Sequence, residues 1–272
     1  MHPVERLRYV ARATGYPQSV IVSETARALA SFASDPQGLV TACRRMVQRQ
    51  PGSAPLVWLC ARVLCAGDPY AEIRAALEEL EGDRTSVELA HSLPDEATIV
   101  VLGWPELIGA ALPRRGDIEV LVVDVHQEGG GLVMQLVDAD VNALDVPLAG
   151  LGAAVADADL VLLEASVVAP TEWLGVSGSL AAASVAKAHE VPVWAVAGIG
   201  RFLPQRMWEP VRERIIPDEP WDADDEVVPL SMLDRIVGPT GPLSVVDALR
   251  RTDCPITLFP YTTLFRDRKS VV

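Results

Sequence analysis

Between residues 36 and 80 the apolar side chains recur at the three- and four-residue spacing of one helical face. Leu39, Val40, Cys43, Met46 and Val47 follow Asp35-Pro36, and Ile73, Ala76, Leu77 and Leu80 follow Asp68-Pro69. An aspartate can accept the first free N–H groups of a helix, and proline fits the first turn without forfeiting a bond, so each Asp-Pro pair predicts a helix start. Pro51, Gly52 and Gly67 punctuate the joins. The pattern predicts a small bundle of helices, with no strand, up to about residue 92.

From residue 98 the period changes. Short runs of Val, Ile and Leu cover residues 98–102, 119–125, 141–144, 160–164 and 193–197, as suits strands that are covered on both faces. Helical stretches at 148–156 and 180–189 lie between them. The first four runs recur at roughly twenty-residue intervals, the rhythm of strand–helix–strand units. The fold class is therefore α/β: an N-terminal helical domain over 1–92, then a Rossmann-like parallel sheet over 93–255 with helices on both faces. Gly129-Gly130-Gly131 reads as a flexible loop in preference to a helix start. The acidic, proline-bearing stretch 217–229 reads as a surface crossing, followed by a last helix over 230–237.

Charge and composition narrow the function classes. The formal net charge is −14, whereas nucleic-acid binding needs a clustered basic surface. Arg44, Arg45 and Arg49 form the one basic cluster and read as a solvated helix face. No apolar run reaches the ~18 residues of a membrane span, and residues 5–12 alternate charged and apolar positions, unlike a signal peptide. A cytoplasmic protein with neither a nucleic-acid nor a membrane partner is expected. Cys43, Cys60, Cys65 and Cys254 show no CxxC spacing, so reduced thiols are expected, with no metal site and no cofactor.

Residues 256–272, ITLFPYTTLFRDRKSVV, hold two of the chain's four Phe and no alanine. The string resembles translated sequencing-adapter read-through, which implies a foreign tail with few native-like contacts and a natural C-terminus that is missing.

In a parallel sheet the ligand-bearing edge is the carboxyl end of the strands. Gly103 and Trp104 follow the first strand, and Asp124 and His126 end the second. His126 could titrate near neutral pH, and Trp104 could stack on a base or sugar. Glu164 ends a strand of buried type, where a carboxylate needs partners. Ser177, Gly178 and Ser179 open a helix whose free N–H groups could take a phosphate, or they form an ordinary serine cap. Gly198 and Gly200 follow the strand at 193–197 and read as backbone approaching a ligand, or as a plain tight loop.

The segment 157–197, DADLVLLEASVVAPTEWLGVSGSLAAASVAKAHEVPVWAVA, resembles the core of one family. That family joins the alpha, beta and delta subunits of initiation factor 2B with methylthioribose-1-phosphate and ribose-1,5-bisphosphate isomerases. Ala158-Asp159, Val176-Ser177-Gly178-Ser179, and His189-Glu190-Val191-Pro192 fall in register with the family's pattern, and residues 228–237, VPLSMLDRIV, are similar to its "Pro-x-x-Leu-Ile-x-x-Ile-Val". The resemblance implies a catalytic cysteine after the first strand and a catalytic aspartate after an Asn-Gly turn. This chain instead carries Gly103-Trp104-Pro105-Glu106 and Glu164-Ala165-Ser166.

With the family's acid and base absent, the reading is an initiation factor 2B-like protein without catalysis. It would bind a phosphorylated sugar or nucleotide and act through assembly, as a homodimer. Trp173, Trp208 and Trp221 are the aromatic surface for that contact. The alternatives are an aldose–ketose isomerase on a ribose phosphate, using Glu164 with His126 or Asp124, and a purely structural interaction subunit.

Overall fold

A computed structural model of the chain describes residues 17–251 and Leu264. Two compact units emerge. One takes the described residues up to Gly82 together with Ile199–Ile215, and the other takes Asp83–Gly198 and Ile216–Thr252. The chain is helical as far as Ser92 and the first strand begins at Thr98; by contacts the last of these helices, Thr85–Ser92, groups with the second unit, which begins at Asp83.

The first unit is helical: α1 (Gln18–Leu29), α2 (Pro36–Arg49), α3 (Ala54–Cys65), α4 (Pro69–Glu81) and a later helix, α10 (Gln205–Ile215). Both Asp-Pro starts form as the sequence dictates. Asp35 accepts from the Gly38 N–H, and Asp68 accepts from the Tyr70 and Ala71 N–H groups. Helix α3 is the core element, buried at every position from Ala54 to Ala61. Arg62 near its end stacks over Trp58 at 4.5 Å and pairs with Glu72 and Glu79 of α4. Cys43 and Cys60 are buried free thiols and Cys65 is an exposed one. A hydrogen bond with Cys43, and then burial, push the Cys60 thiol up.

The second unit begins with α5 (Thr85–Ser92) and continues through β1 (Thr98–Leu102), α6 (Glu106–Ala111), β2 (Glu119–Asp124), α7 (Gly129–Asp138), β3 (Asn142–Pro147), α8 (Leu151–Ala156) and β4 (Leu160–Glu164). After a short pair, β5 (Val167–Val168) and β6 (Glu172–Val176), come α9 (Ser179–Ala188) and β7 (Val193–Val196). The last elements are β8 (Asp225–Pro229), β9 (Arg235–Gly238), β10 (Gly241–Ser244) and α11 (Val245–Arg251). The seven-stranded sheet runs β10-β9-β7-β4-β1-β2-β3, parallel except for the β9–β10 pair. Strand order reverses between β1 and β4, so a crevice is expected beyond their carboxyl ends.

The core follows the two-residue period of strands. Ile99, Val101, Val120, Val122, Leu160 and Leu162 pack on one face with Leu89, Ile108, Leu112, Leu132 and Leu136. Val100, Val161 and Leu163 alternate with them and are equally buried. No helix among the described residues is long and apolar enough to cross a membrane.

Several expectations need correction. Residues 230–237 form a short 3-10 turn (Leu230–Met232) and then β9 instead of a helix. The spacing of Leu230, Leu233 and Val237 imitates a helical face. What decides the outcome is distant pairing: Trp194 lies opposite Arg235 and Val196 opposite Val237, while Asp234 accepts from the Val193 N–H at 2.8 Å. The surface stretch 217–229 ends in β8, which joins β5 and β6 in a separate antiparallel sheet. Gly129-Gly130-Gly131 is not a loop and opens α7.

The aromatic surface is smaller than expected. Trp173 and Trp208 are fully buried, and only Trp221 of the three is exposed. The tail 256–272 lies outside the described residues except for Leu264, which is buried.

Candidate functional site

The edge where β1, β2 and β4 end holds most of the residues singled out from sequence. Gly103 turns the chain after β1 with a φ of +62°, a conformation that costs glycine least, and its N–H donates to the Val123 carbonyl at 2.8 Å. Trp104 then lies over two glycines. A Cβ added to Gly131 would stand 2.4 Å from the Trp104 Cζ3, and one added to Gly109 would stand 3.3 Å from the indole. Of the triple glycine, Gly131 makes room for the indole, while a Cβ on Gly129 would meet Asp124 and one on Gly130 would meet nothing. Gly131→Ala is expected to lift Trp104 off α7 and cost about 1–3 kcal/mol, as overpacking does. Urea unfolding and a shift in tryptophan emission would show both effects.

Three carboxylates, Glu164, Asp124 and Glu226, each hold a helix start. Glu164 Oε2 accepts from the Leu107 N–H at 2.7 Å and the Ile108 N–H at 3.2 Å, in the first turn of α6. Asp124 Oδ1 accepts from the Gly129 N–H at 3.1 Å, the first residue of α7. Helix α9 is held by a residue that the sequence reading left in an acidic surface run. Glu226 Oε1 accepts from the Gly178 N–H at 2.8 Å and the Leu180 N–H at 2.9 Å. These are N–H groups of the helix start expected to take phosphate. Gly178 has a φ of +99° and a would-be Cβ 3.1 Å from Leu102, so only glycine turns here without strain.

The neighbouring groups are engaged as well. Ser177 donates its hydroxyl to the Ala223 carbonyl and its N–H to the Asp224 carbonyl, and the Ser179 hydroxyl donates to the Val176 carbonyl at 2.6 Å. His126 Nε2 lies 3.3 Å from the Asp224 carbonyl oxygen. Gly198 approaches a carboxylate of the chain itself: an added Cβ would meet the Asp83 Oδ2 at 2.3 Å, while Asp83 caps α5 through the Thr85 N–H and hydroxyl. Gly200 belongs to the helical unit, where its φ of +79° sets it against Pro55 and Trp58.

Asp225 sits beside Glu226 in β8. Desolvation and then the Asp224 charge push its carboxyl up to about 6, with His126 acting against them. A carboxyl raised on folding favours the folded state below its ordinary value of 3.8, and that advantage is lost as pH rises through about 6. Asp225→Asn is accordingly expected to raise the melting temperature slightly at neutral pH and leave it unchanged under acid conditions. A larger gain in acid would contradict this sign.

Sequence reasoning located the edge and most of its residues but missed Glu226, which lies 48 positions from Gly178. No local signal links the two. Its one trace in the sequence is its place as the last acidic residue of the run, just before Val227-Val228.

No protein-family model matches the chain, and no curated protein sequence does. Solved structures do. The translation initiation factor eIF-2B of Pyrococcus horikoshii OT3 is similar with a TM-score of 0.74 at 13% identity, over 90% of this chain and 98% of that one. A chain of the tetrameric eIF2B-beta2-delta2 complex from Chaetomium thermophilum gives 0.73 at 16%, over 89% and 90%. Chaetomium thermophilum eIF2B beta gives 0.69 at 17%, over 89% and 86%. The fold is that of these initiation factor subunits.

Proposed function

We propose that this chain is a non-catalytic, initiation factor 2B-like protein that acts through assembly with other protein chains, itself included as a homodimer. The observation that carries this reading is the occupation of the sheet edge by the chain's own carboxylates. Glu164, Asp124 and Glu226 hold the first turns of α6, α7 and α9. Aldose–ketose isomerisation needs an acid and a base free to reach neighbouring substrate carbons. Glu164 and Asp124 are spent on helix starts, and His126 lies against a backbone carbonyl.

A phosphorylated sugar or nucleotide is the second reading, because the α9 start already holds an anionic group. Such a ligand would have to displace Glu226 from two charge-assisted hydrogen bonds, each worth about 1.5–3 kcal/mol. It would also enter beside Asp224 and Asp225, whose charge repels phosphate. Support for assembly comes from the fold: a chain of similar fold sits in the tetrameric beta2-delta2 complex.

Calorimetric titration with inorganic phosphate and ribose 1,5-bisphosphate, together with an isomerase assay, tests the reading. No turnover and no heat are expected for the wild type, and a gain of phosphate binding is expected for Glu226→Ala. Turnover that Glu164→Gln abolishes would overturn the non-catalytic proposal, and wild-type phosphate binding lost in Gly178→Glu would favour the second reading. Sedimentation is expected to show a dimer at tens of micromolar; a monomer there would count against self-assembly.

A further inference from the structure

Among the described residues the most exposed large hydrophobic side chain is Trp221, at 79% exposure. It projects from a short 3-10 turn, Pro220–Asp222, closed by the Asp222 N–H on the Glu219 carbonyl at 3.1 Å and the Ala223 N–H on the Pro220 carbonyl. The following residues are tied to the sheet unit. Ala223 and Asp224 accept from Ser177, and Glu226 accepts from α9. The indole is thus mounted on a fixed turn and left in water.

Its surroundings in sequence are uniformly acidic. Between residues 217 and 229 stand Asp218, Glu219, Asp222, Asp224, Asp225 and Glu226, with no Lys, Arg or His. Glu226 is spent on α9, and the others surround the tryptophan along the chain. Tryptophan is the side chain most often dominant when buried at a protein interface, and a charged rim selects the complementary sign. A second copy is the wrong complement for this face, since it would bring two such acidic runs together on a chain of net charge −14.

We propose that Trp221 and its acidic flanks form a docking knob for a basic segment of another protein, one that offers an apolar slot rimmed by lysine or arginine. This names one partner surface for the assembly reading and rests on that reading, but its test is separate. The phosphate titrations do not involve Trp221, and peptide binding does not involve the α9 start.

The probe is a fluorescein-labelled amphipathic helical peptide of leucine and lysine, followed by anisotropy at about 0.15 M salt, where distant charges are screened. The wild-type protein is expected to bind it. Trp221→Ala is expected to weaken binding by roughly thirty-fold, the change a strong interface anchor gives, while Trp221→Phe keeps most of it. Asp218→Asn with Asp222→Asn is expected to weaken binding and flatten its salt dependence. Because the indole is exposed, Trp221→Ala should keep the wild-type melting temperature, which separates lost docking from lost folding.

Three results overturn the proposal: no wild-type binding, equal binding by Trp221→Ala, or equal binding of a peptide with glutamate in place of lysine. A dimer that Trp221→Ala dissolves would overturn it too, by assigning the knob to a second copy.

Discussion

Trp173→Ala is expected to remove about 3–5 kcal/mol of stability, the cost of truncating a large side chain in a closed core. Domains of this size hold only about 5–15 kcal/mol in all. Trp173 has no exposed surface and lies in β6, the middle strand of the small sheet β5-β6-β8, opposite Val168 and Val228. A Cβ on Gly175 would stand 2.3 Å from the Trp173 Cζ3 and 2.9 Å from the Ser179 hydroxyl, so the site has been emptied around the indole. The Trp173 Nε1 has no hydrogen-bond partner among the described residues. Trp173→Phe should therefore lose volume but no bond, and cost clearly less than the alanine. Urea unfolding of both variants checks the pair, and a phenylalanine as damaging as the alanine would show that the indole N–H does have a partner.

Glu164→Ala carries the second large effect, a loss of about 2–4 kcal/mol, because it strips the carboxylate from two N–H groups at the start of α6. Glu164→Gln keeps an acceptor without the charge, and should lose about half as much. Sulfate can occupy the freed helix start, so it should restore part of the alanine variant's midpoint and none of the wild type's. A catalytic Glu164 would behave in the opposite way, with glutamine abolishing turnover while stability stayed put. The two variants thus test both the cap and the proposed function.

The starts of helices α2 and α4 and the bounds of strands β1 and β4 were legible in the sequence. Asp-Pro starts and apolar periodicity are short-range causes, and the chain carries them wherever it goes. The carboxyl edge was legible for a similar reason, since a parallel sheet places Gly103, Asp124 and Glu164 at strand ends regardless of detail. A negative charge of −14 was likewise settled before folding.

Strand β9 was not legible, because Leu230, Leu233 and Val237 fit a helical face, and only the backbone of β7, some forty residues earlier, makes the extended form the better one. Nor was the burial of Trp173, which depends on a missing side chain at Gly175 and on strand β8 closing over it. The occupation of the α9 start belongs to the same class. Ser177, Gly178 and Ser179 announce free N–H groups, but the group that takes them is Glu226, brought there by the β6–β8 pairing. Local sequence determines which groups are offered, because propensity, capping and alternation act over a few residues. Which group answers depends on contacts between distant segments, whose energies exist only once the chain has folded.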